Sequence, residues 1–269
     1  QLRSKLDRKS STDETRREVI KAVNKLVQDA CFLAPEMLNL FLEACKDNHW
    51  RVRDAAASAL VETAKASPSL APKVLEALIK AAGDAYGYVR KAAASALGEL
   101  AKASLSLAPK ALEALLKAAG DEYVYVRSAI VHALGELAKA APSLASKVLK
   151  ALLKVVGDSE VNVRKAAASA LGELVKAAPS LAPKTLEALI KAAGDHYDDV
   201  RSAAASALGE LAKAAPSLAS KTLEALIKAA GDDEWGVRDV AADALKEVRK
   251  IMHSNMVSEN KQESCCGIQ

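Results

Sequence analysis

Aromatic residues are almost missing from this chain: two Phe, two Trp and five Tyr make up 3% of 269 positions. Sandwiches and barrels draw on β-branched and aromatic residues with frequent turn punctuation, so composition excludes a strand-built fold. Glycine (12) and proline (8) are also few. Of the 4 cysteines, Cys31 and Cys45 stand apart while Cys265 and Cys266 adjoin at the end. They make neither a disulfide framework nor a ladder of metal ligands, which points to a reducing compartment. No sign of charge dominates: 38 basic against 34 acidic residues leave +4, too little for a strongly polyanion-binding chain. Lys or Glu interrupts every apolar stretch before the about 18 residues of a membrane-spanning helix. No secretory signal opens the chain, so a cytoplasmic location is expected. The first residue is Gln1, which leaves room for sequence upstream.

What is present is a helical diet of Ala, Leu and Val within 51% apolar residues, and it is periodic. Leu33-Ala34-Pro35, Leu70-Ala71-Pro72, Leu107-Ala108-Pro109, Leu144-Ala145-Ser146, Leu181-Ala182-Pro183 and Leu218-Ala219-Ser220 advance by one fixed step of 37 residues. So do Asp47, Asp84, Asp121, Asp158, Asp195 and Asp232, and the Val-Arg pairs ending at Arg53, Arg90, Arg127, Arg164, Arg201 and Arg238. The step divides the chain into an N-terminal partial repeat or cap (1–32), six repeats (33–252) and a polar segment (253–269) expected to be a flexible tail. Residues 11–30 fall where a second helix belongs, because Arg16 lies one step before Arg53.

Within a unit, residues 69–83 predict a short helix with Ser69 as cap, Pro72 in the first turn and Gly83 at the end. Val89, Ala93, Ala96, Leu97 and Leu100 then predict a buried stripe on a longer second helix. Each unit is a helical hairpin that buries its faces only by stacking on copies of itself. Gly98, Gly135, Gly172 and Gly209 lie inside second helices, where glycine costs about 1 kcal/mol against alanine. A tight approach between helices is inferred there, although inheritance by duplication would leave the same glycines.

A two-helix unit with Asp, four variable residues, Val-Arg and an Ala-rich helix resembles the HEAT repeat, in the subclass near the phycobilin-lyase-type units. The resemblance implies an all-α fold, a right-handed α-solenoid of stacked two-helix repeats whose second helices line the concave side. It also implies an internal polar ladder of the recurrent Asp and Arg, which makes Asp84, Arg90 and their equivalents structural.

The units differ mainly in the loop tetrads 48–51, 85–88, 122–125, 159–162, 196–199 and 233–236, which hold every Tyr and Trp. Phe32 and Phe41 are expected in the core. Variation continues down one face of the second helix: Arg51, Asp54, Ser58; Tyr88, Lys91, Ser95; Tyr125, Ser128, His132; Asn162, Lys165, Ser169; Asp199, Ser202, Ser206; Gly236, Asp239, Asp243. The first helices repeat Lys73, Glu76 and Lys80 with little change, a solvated face with Glu-to-Lys pairs four apart. Stiff amphipathic rings gathered on a variable surface are the composition of a recognition site. An apolar centre of Tyr86, Tyr88, Tyr123 and Tyr125 beside Lys91, with Trp50, Arg51 and His132, is therefore expected to hold a partner. Tyr197, Asp198, Asp199, Glu234, Trp235 and Asp239 form its acidic end. A protein or peptide with a hydrophobic anchor and a basic flank fits this surface, and nucleic acid does not. The chain is expected to be a monomer.

Cys266-Gly-Ile-Gln269 matches the prenylation pattern, with Cys265 beside it for a palmitoyl group, so a peripheral membrane tether is a further expectation. No phosphate-cradling loop, paired-His helix or nucleophile elbow occurs, and no cofactor or metal is expected. The hydroxylases among HEAT-like enzymes carry adjacent His-Glu pairs, which are lacking here. A non-enzymatic protein-binding scaffold is the leading reading; an engineered consensus-repeat binder and a phycobilin-lyase-like enzyme are the alternatives.

Overall fold

The computed structural model describes the backbone of residues 11–266 and the side chains of residues 11–255. Thirteen α-helices, six one-turn 3-10 helices and no strand form among the described residues. The chain divides into two compact units, residues 1–141 and 142–269, a division inside the block that the 37-residue step draws as one.

The first unit holds α1 (Asp13–Asp29), α2 (Ala34–Ala44), α3 (Trp50–Ala66), α4 (Ala71–Ala81), α5 (Gly87–Ala103), α6 (Ala108–Ala118) and α7 (Val124–Ala140). The second holds α8 (Ala145–Val155), α9 (Val161–Ala177), α10 (Ala182–Ala192), α11 (Asp198–Ala214), α12 (Ala219–Ala230) and α13 (Trp235–Cys266). Residues 13–29 do occupy a second-helix place. The last helix crosses the boundary at 252 and runs on to Cys266 where a tail is expected, since no Gly or Pro stops it between Val237 and Cys266. The side chains of Cys265 and Cys266, and residues 267–269, lie outside the described residues.

Periodicity places the core. Ala71, Val74, Leu75 and Leu78 of α4 are buried, while Lys73, Glu76 and Lys80 on its other side are exposed. The expected pairing of Glu76 with Lys80 is not made. All five residues of the stripe predicted for α5 are buried. Phe41 is fully buried, but Phe32 is 80% exposed, contrary to expectation. Phe32 sits in the one-turn helix Cys31–Leu33, one repeat before the exposed Ser69.

The ends of the first helices also differ from the sequence reading. Ser69 caps nothing, because the 3-10 turn Pro68–Leu70 runs directly into α4 and the Ala71 N–H already bonds the Pro68 carbonyl. Gly83 is not a left-handed cap, for no described glycine has positive φ. Instead the Asp84 N–H closes a turn onto Ala81 O at 3.1 Å. Lys46 at the same place in the first repeat agrees with a backbone open to any L residue.

Within each unit, every second helix packs on the next second helix: α1 on α3, α3 on α5, α5 on α7, then α9 on α11 and α11 on α13. A Cβ on Gly98 would lie 2.7 Å from the Ala133 Cβ, and Cβ atoms on Gly172 and Gly209 would lie 3.0 Å from those of Ala207 and Ala244. The inferred tight approach is therefore present at these three glycines.

Arginine and aspartate tie successive loops. Arg16, Arg53 and Arg90 in the first unit, and Arg164 and Arg201 in the second, each grip the aspartate 31 residues on through Nε and Nη2. The Nε bonds to Asp47, Asp84, Asp121, Asp195 and Asp232 span 2.6–2.9 Å. From Arg53 onward the remaining Nη1 clasps carbonyls of its own loop, as Arg90 does with Asp84 O at 2.9 Å and Ala85 O at 3.1 Å. The polar ladder implied by the resemblance thus forms between repeats of each unit, and its bidentate geometry fixes each of these loops relative to the next in that unit.

Candidate partner-binding surface

The loop aspartate sets the position of the tetrad that follows it. Asp84 Oδ1 accepts the Tyr86 N–H at 2.9 Å, and Asp121 does the same for Tyr123 at 2.9 Å and Asp195 for Tyr197 at 3.0 Å. This Asx turn puts the second residue after each aspartate at the N-cap of a second helix. There each tyrosine lies against the guanidinium of the preceding repeat: Arg53 to Tyr86 at 5.4 Å, Arg90 to Tyr123 at 5.2 Å and Arg164 to Tyr197 at 5.6 Å. Each ring stays 50% exposed. Tyr86, Tyr123 and Tyr197 are therefore partly committed to covering the ladder, where cation–π attraction adds to the ion pair.

Tyr88 and Tyr125 stand in the first turn of α5 and α7 and are 58% and 63% exposed. Tyr88 stacks on Trp50 with centroids 4.9 Å apart, and Trp50 also faces Tyr86 at 6.3 Å. Trp50 is half-buried against Ala81, Val89 and Ala93, with the exposed Arg51 guanidinium 5.4 Å from its ring. Gly87 leaves the space occupied by Tyr123, whose ring would lie 2.9 Å from a Cβ there. In the second unit Asp198, Asp199, Glu234, Trp235 and Asp239 are all exposed, Trp235 to 70%.

Between second helices run shallow grooves. In the first unit, one of about 520 Å³ is lined by Asn24, Asp54, Ser58, Tyr88, Lys91 and Ser95 among others, and one of about 610 Å³ includes Ser95, Gly98 and His132. In the second unit a groove of about 420 Å³ is lined in part by Lys165, Ser169, Asp199, Ser202 and Ser206. These are positions at which the repeats differ. The further edge of the grooves is invariant and was missed by the sequence reading: Lys65 joins Glu62 at 2.8 Å and Glu99 at 2.7 Å, and Lys102 joins Glu136 at 2.6 Å. Its signal was the recurring Glu-x-x-Lys, placed so that Lys meets the glutamate 34 residues on.

Electrostatics separate these groups. Hydrogen bonds from Lys102 and Lys139 lower Glu136 to about 2. Asp195 and Asp232 are held below the usual carboxylate range chiefly by Arg164 and Arg201. For Asp84 and Asp121 burial is the largest influence and raises the pKa, but the guanidinium of Arg53 or Arg90 and a backbone N–H together outweigh it. Asp54 behaves oppositely: burial in the groove raises its carboxyl, opposed by Arg17, Lys91 and Lys21. A half-buried carboxyl of this kind gains from a cationic guest; the sequence placed it on the variable face without assigning it to the partner site. Burial also pushes the Cys45 thiol up to about 12, which leaves little thiolate for chemistry. Among the described residues, no group of three or more His, Cys, Asp or Glu is placed to hold a metal, and no helix is long and apolar enough to cross a membrane.

A family model for HEAT repeats matches residues 1–98, 75–146, 112–209 and 186–253. Comparison with curated protein sequences finds no match. Among solved structures, Kap121p is similar with a TM-score of 0.70 at 17% identity, over 92% of this chain and 27% of that one. An engineered protein is similar with a TM-score of 0.62 at 20% identity, over 92% of this chain and 67% of that one. A designed armadillo repeat protein in complex with the peptide (KR)4 has a TM-score of 0.53 at 21% identity, over 78% of this chain and 99% of that one. These likenesses carry the fold: an all-α repeat solenoid, an architecture typical of protein-interaction scaffolds.

Proposed function

Since the chain belongs to the HEAT-repeat family, we propose that it is a non-enzymatic scaffold that binds a protein or peptide through its loop tetrads and the grooves of its second helices. One observation carries this reading: the residues that differ between repeats gather along the grooves, whereas the recurring residues are buried, tied in the Arg–Asp ladder, ion-paired along the far groove edge or set on the exposed face of the first helices. The exposed Tyr88 and Tyr125 offer an apolar anchor site in the first unit, where Asp54 waits nearby for a cation. In the second unit, Asp198, Asp199, Glu234 and Asp239 suit a basic segment, the chemistry of the (KR)4 peptide carried by the designed armadillo protein. Tethering through a prenyl group on Cys266 and a palmitoyl group on Cys265 belongs to this proposal on the sequence motif alone.

Affinity capture with the wild-type chain and with a Tyr88→Ala plus Tyr125→Ala variant tests the anchor. Loss of two exposed ring contacts at a binding centre should weaken recovery of a specific partner about tenfold or more. Equal recovery by both proteins would remove the grooves from the reading.

A further inference from the structure

The last rung of the arginine ladder is open. Arg238 Nη1 clasps the carbonyls of Asp232 and Asp233 at 2.8 Å each, as Arg201 clasps those of Asp195 and His196 at 3.0 and 2.9 Å. In Arg53, Arg90 and Arg201 the Nε–Nη2 edge then receives a bidentate aspartate, with bonds of 2.6–2.9 Å. The same edge of Arg238 meets no carboxylate among the described residues; the residue 31 positions on is Gln269.

Trp235, three residues earlier, is bare in a matching way. It holds the repeat position of Trp50, whose ring is covered by Tyr86 and Tyr88 of the following loop at 6.3 and 4.9 Å. Trp235 is 70% exposed. Inside the chain, Trp50 and Arg53 together receive Asp84-Ala-Tyr86-Gly-Tyr88, the carboxylate on the guanidinium and the rings on the indole. Trp235 and Arg238 offer that pair of surfaces with no ring or carboxylate of the described residues on them.

We propose that the start of α13 is a second docking site, which takes from a partner protein a loop carrying Asp followed two and four residues later by Tyr. A whole stacked repeat is the wrong occupant. Stacking would bury Lys246 at the repeat position of Gly98, Gly172 and Gly209, an exposed cation ion-paired with Asp243 at 2.8 Å. A second copy of this chain is also wrong, because one repeat before Asp47 its own N-terminal segment has Ser10. The surrounding Asp233, Glu234 and Asp239 do not forbid an incoming carboxylate: Arg201 holds Asp232 with Asp198 and Glu234 beside it. The site goes beyond the proposed function, which gives the flanking Glu234 and Asp239 to a basic guest and leaves Trp235 and Arg238 without one.

The probe is the blocked peptide Asp-Ala-Tyr-Gly-Tyr, titrated to millimolar concentration while the Trp235 indole N–H resonance is followed by NMR. A Trp50→Phe variant assigns that resonance. The Trp235 signal should shift saturably, and the shift should survive in the Tyr88→Ala plus Tyr125→Ala variant. Replacing the peptide aspartate by Asn, or Arg238→Gln in the protein, should weaken binding about tenfold, the effect of losing a charge-assisted hydrogen-bond pair. The proposal is overturned by an unmoved Trp235 signal, by equal curves for the Asp and Asn peptides, or by a response lost in the double tyrosine variant, which would place the peptide in the groove. The peptide substitution reads the ion pair even where Arg238→Gln disturbs the loop.

Discussion

At the scale of single residues, the glycines give a sharp contrast. Gly98 faces the Ala133 Cβ at 2.7 Å across two helices, whereas a Cβ on Gly120 would find nothing within 4 Å. Gly98→Ala gains about 1 kcal/mol of helix propensity but forces an overpacked contact costing about 1–3 kcal/mol. Denaturant melts should show it neutral to about 2 kcal/mol less stable. Gly120→Ala, with no positive φ to strain, should be neutral or up to about 1 kcal/mol more stable. The glycine pattern was legible in the sequence, and so was the exposure of Phe32, had it been measured against Ser69 instead of judged by its hydrophobicity. The stacking of Tyr88 on Trp50 was not, since the two rings belong to different repeats and meet only when hairpins stack.

At the scale of elements, the rungs fix one loop to the next, and their chemistry makes that linkage pH-dependent. Asp84, Asp121, Asp195 and Asp232 have folded pKa values below ordinary ones. A depressed carboxyl contributes stability that is present above its unfolded pKa of about 3.9 and is lost as pH falls through the folded value. Thermal melts followed by circular dichroism should therefore hold level near neutrality and decline below about pH 4. An Arg53→Gln plus Arg90→Gln variant should be less stable at neutral pH and show a shallower acid decline. Identical acid profiles for variant and wild type would mean that the rungs do not carry this dependence. The family resemblance implied a ladder but not its direction: each guanidinium reaches the aspartate of the next repeat, while its own repeat supplies only carbonyls.

At the scale of the whole molecule, contacts that run mainly between neighbouring hairpins make stability local. Phe41 is fully buried in α2, and its replacement by Ala should cost about 3–5 kcal/mol. Hydrogen exchange should accelerate in α1 to α4 and stay unchanged in α9 to α13; uniform acceleration throughout would show that the chain unfolds as one block. The sequence by itself determined the hairpin, its 37-residue step, the buried stripes and the face that varies, because helical periodicity and repetition are written along the chain. Only the tertiary structure decided which rings stay exposed, which aspartate each arginine grips, and that Arg238 meets no carboxylate among the described residues. Those outcomes depend on side chains more than 30 residues apart being brought together by stacking, and no local pattern encodes which of them a neighbouring repeat will cover.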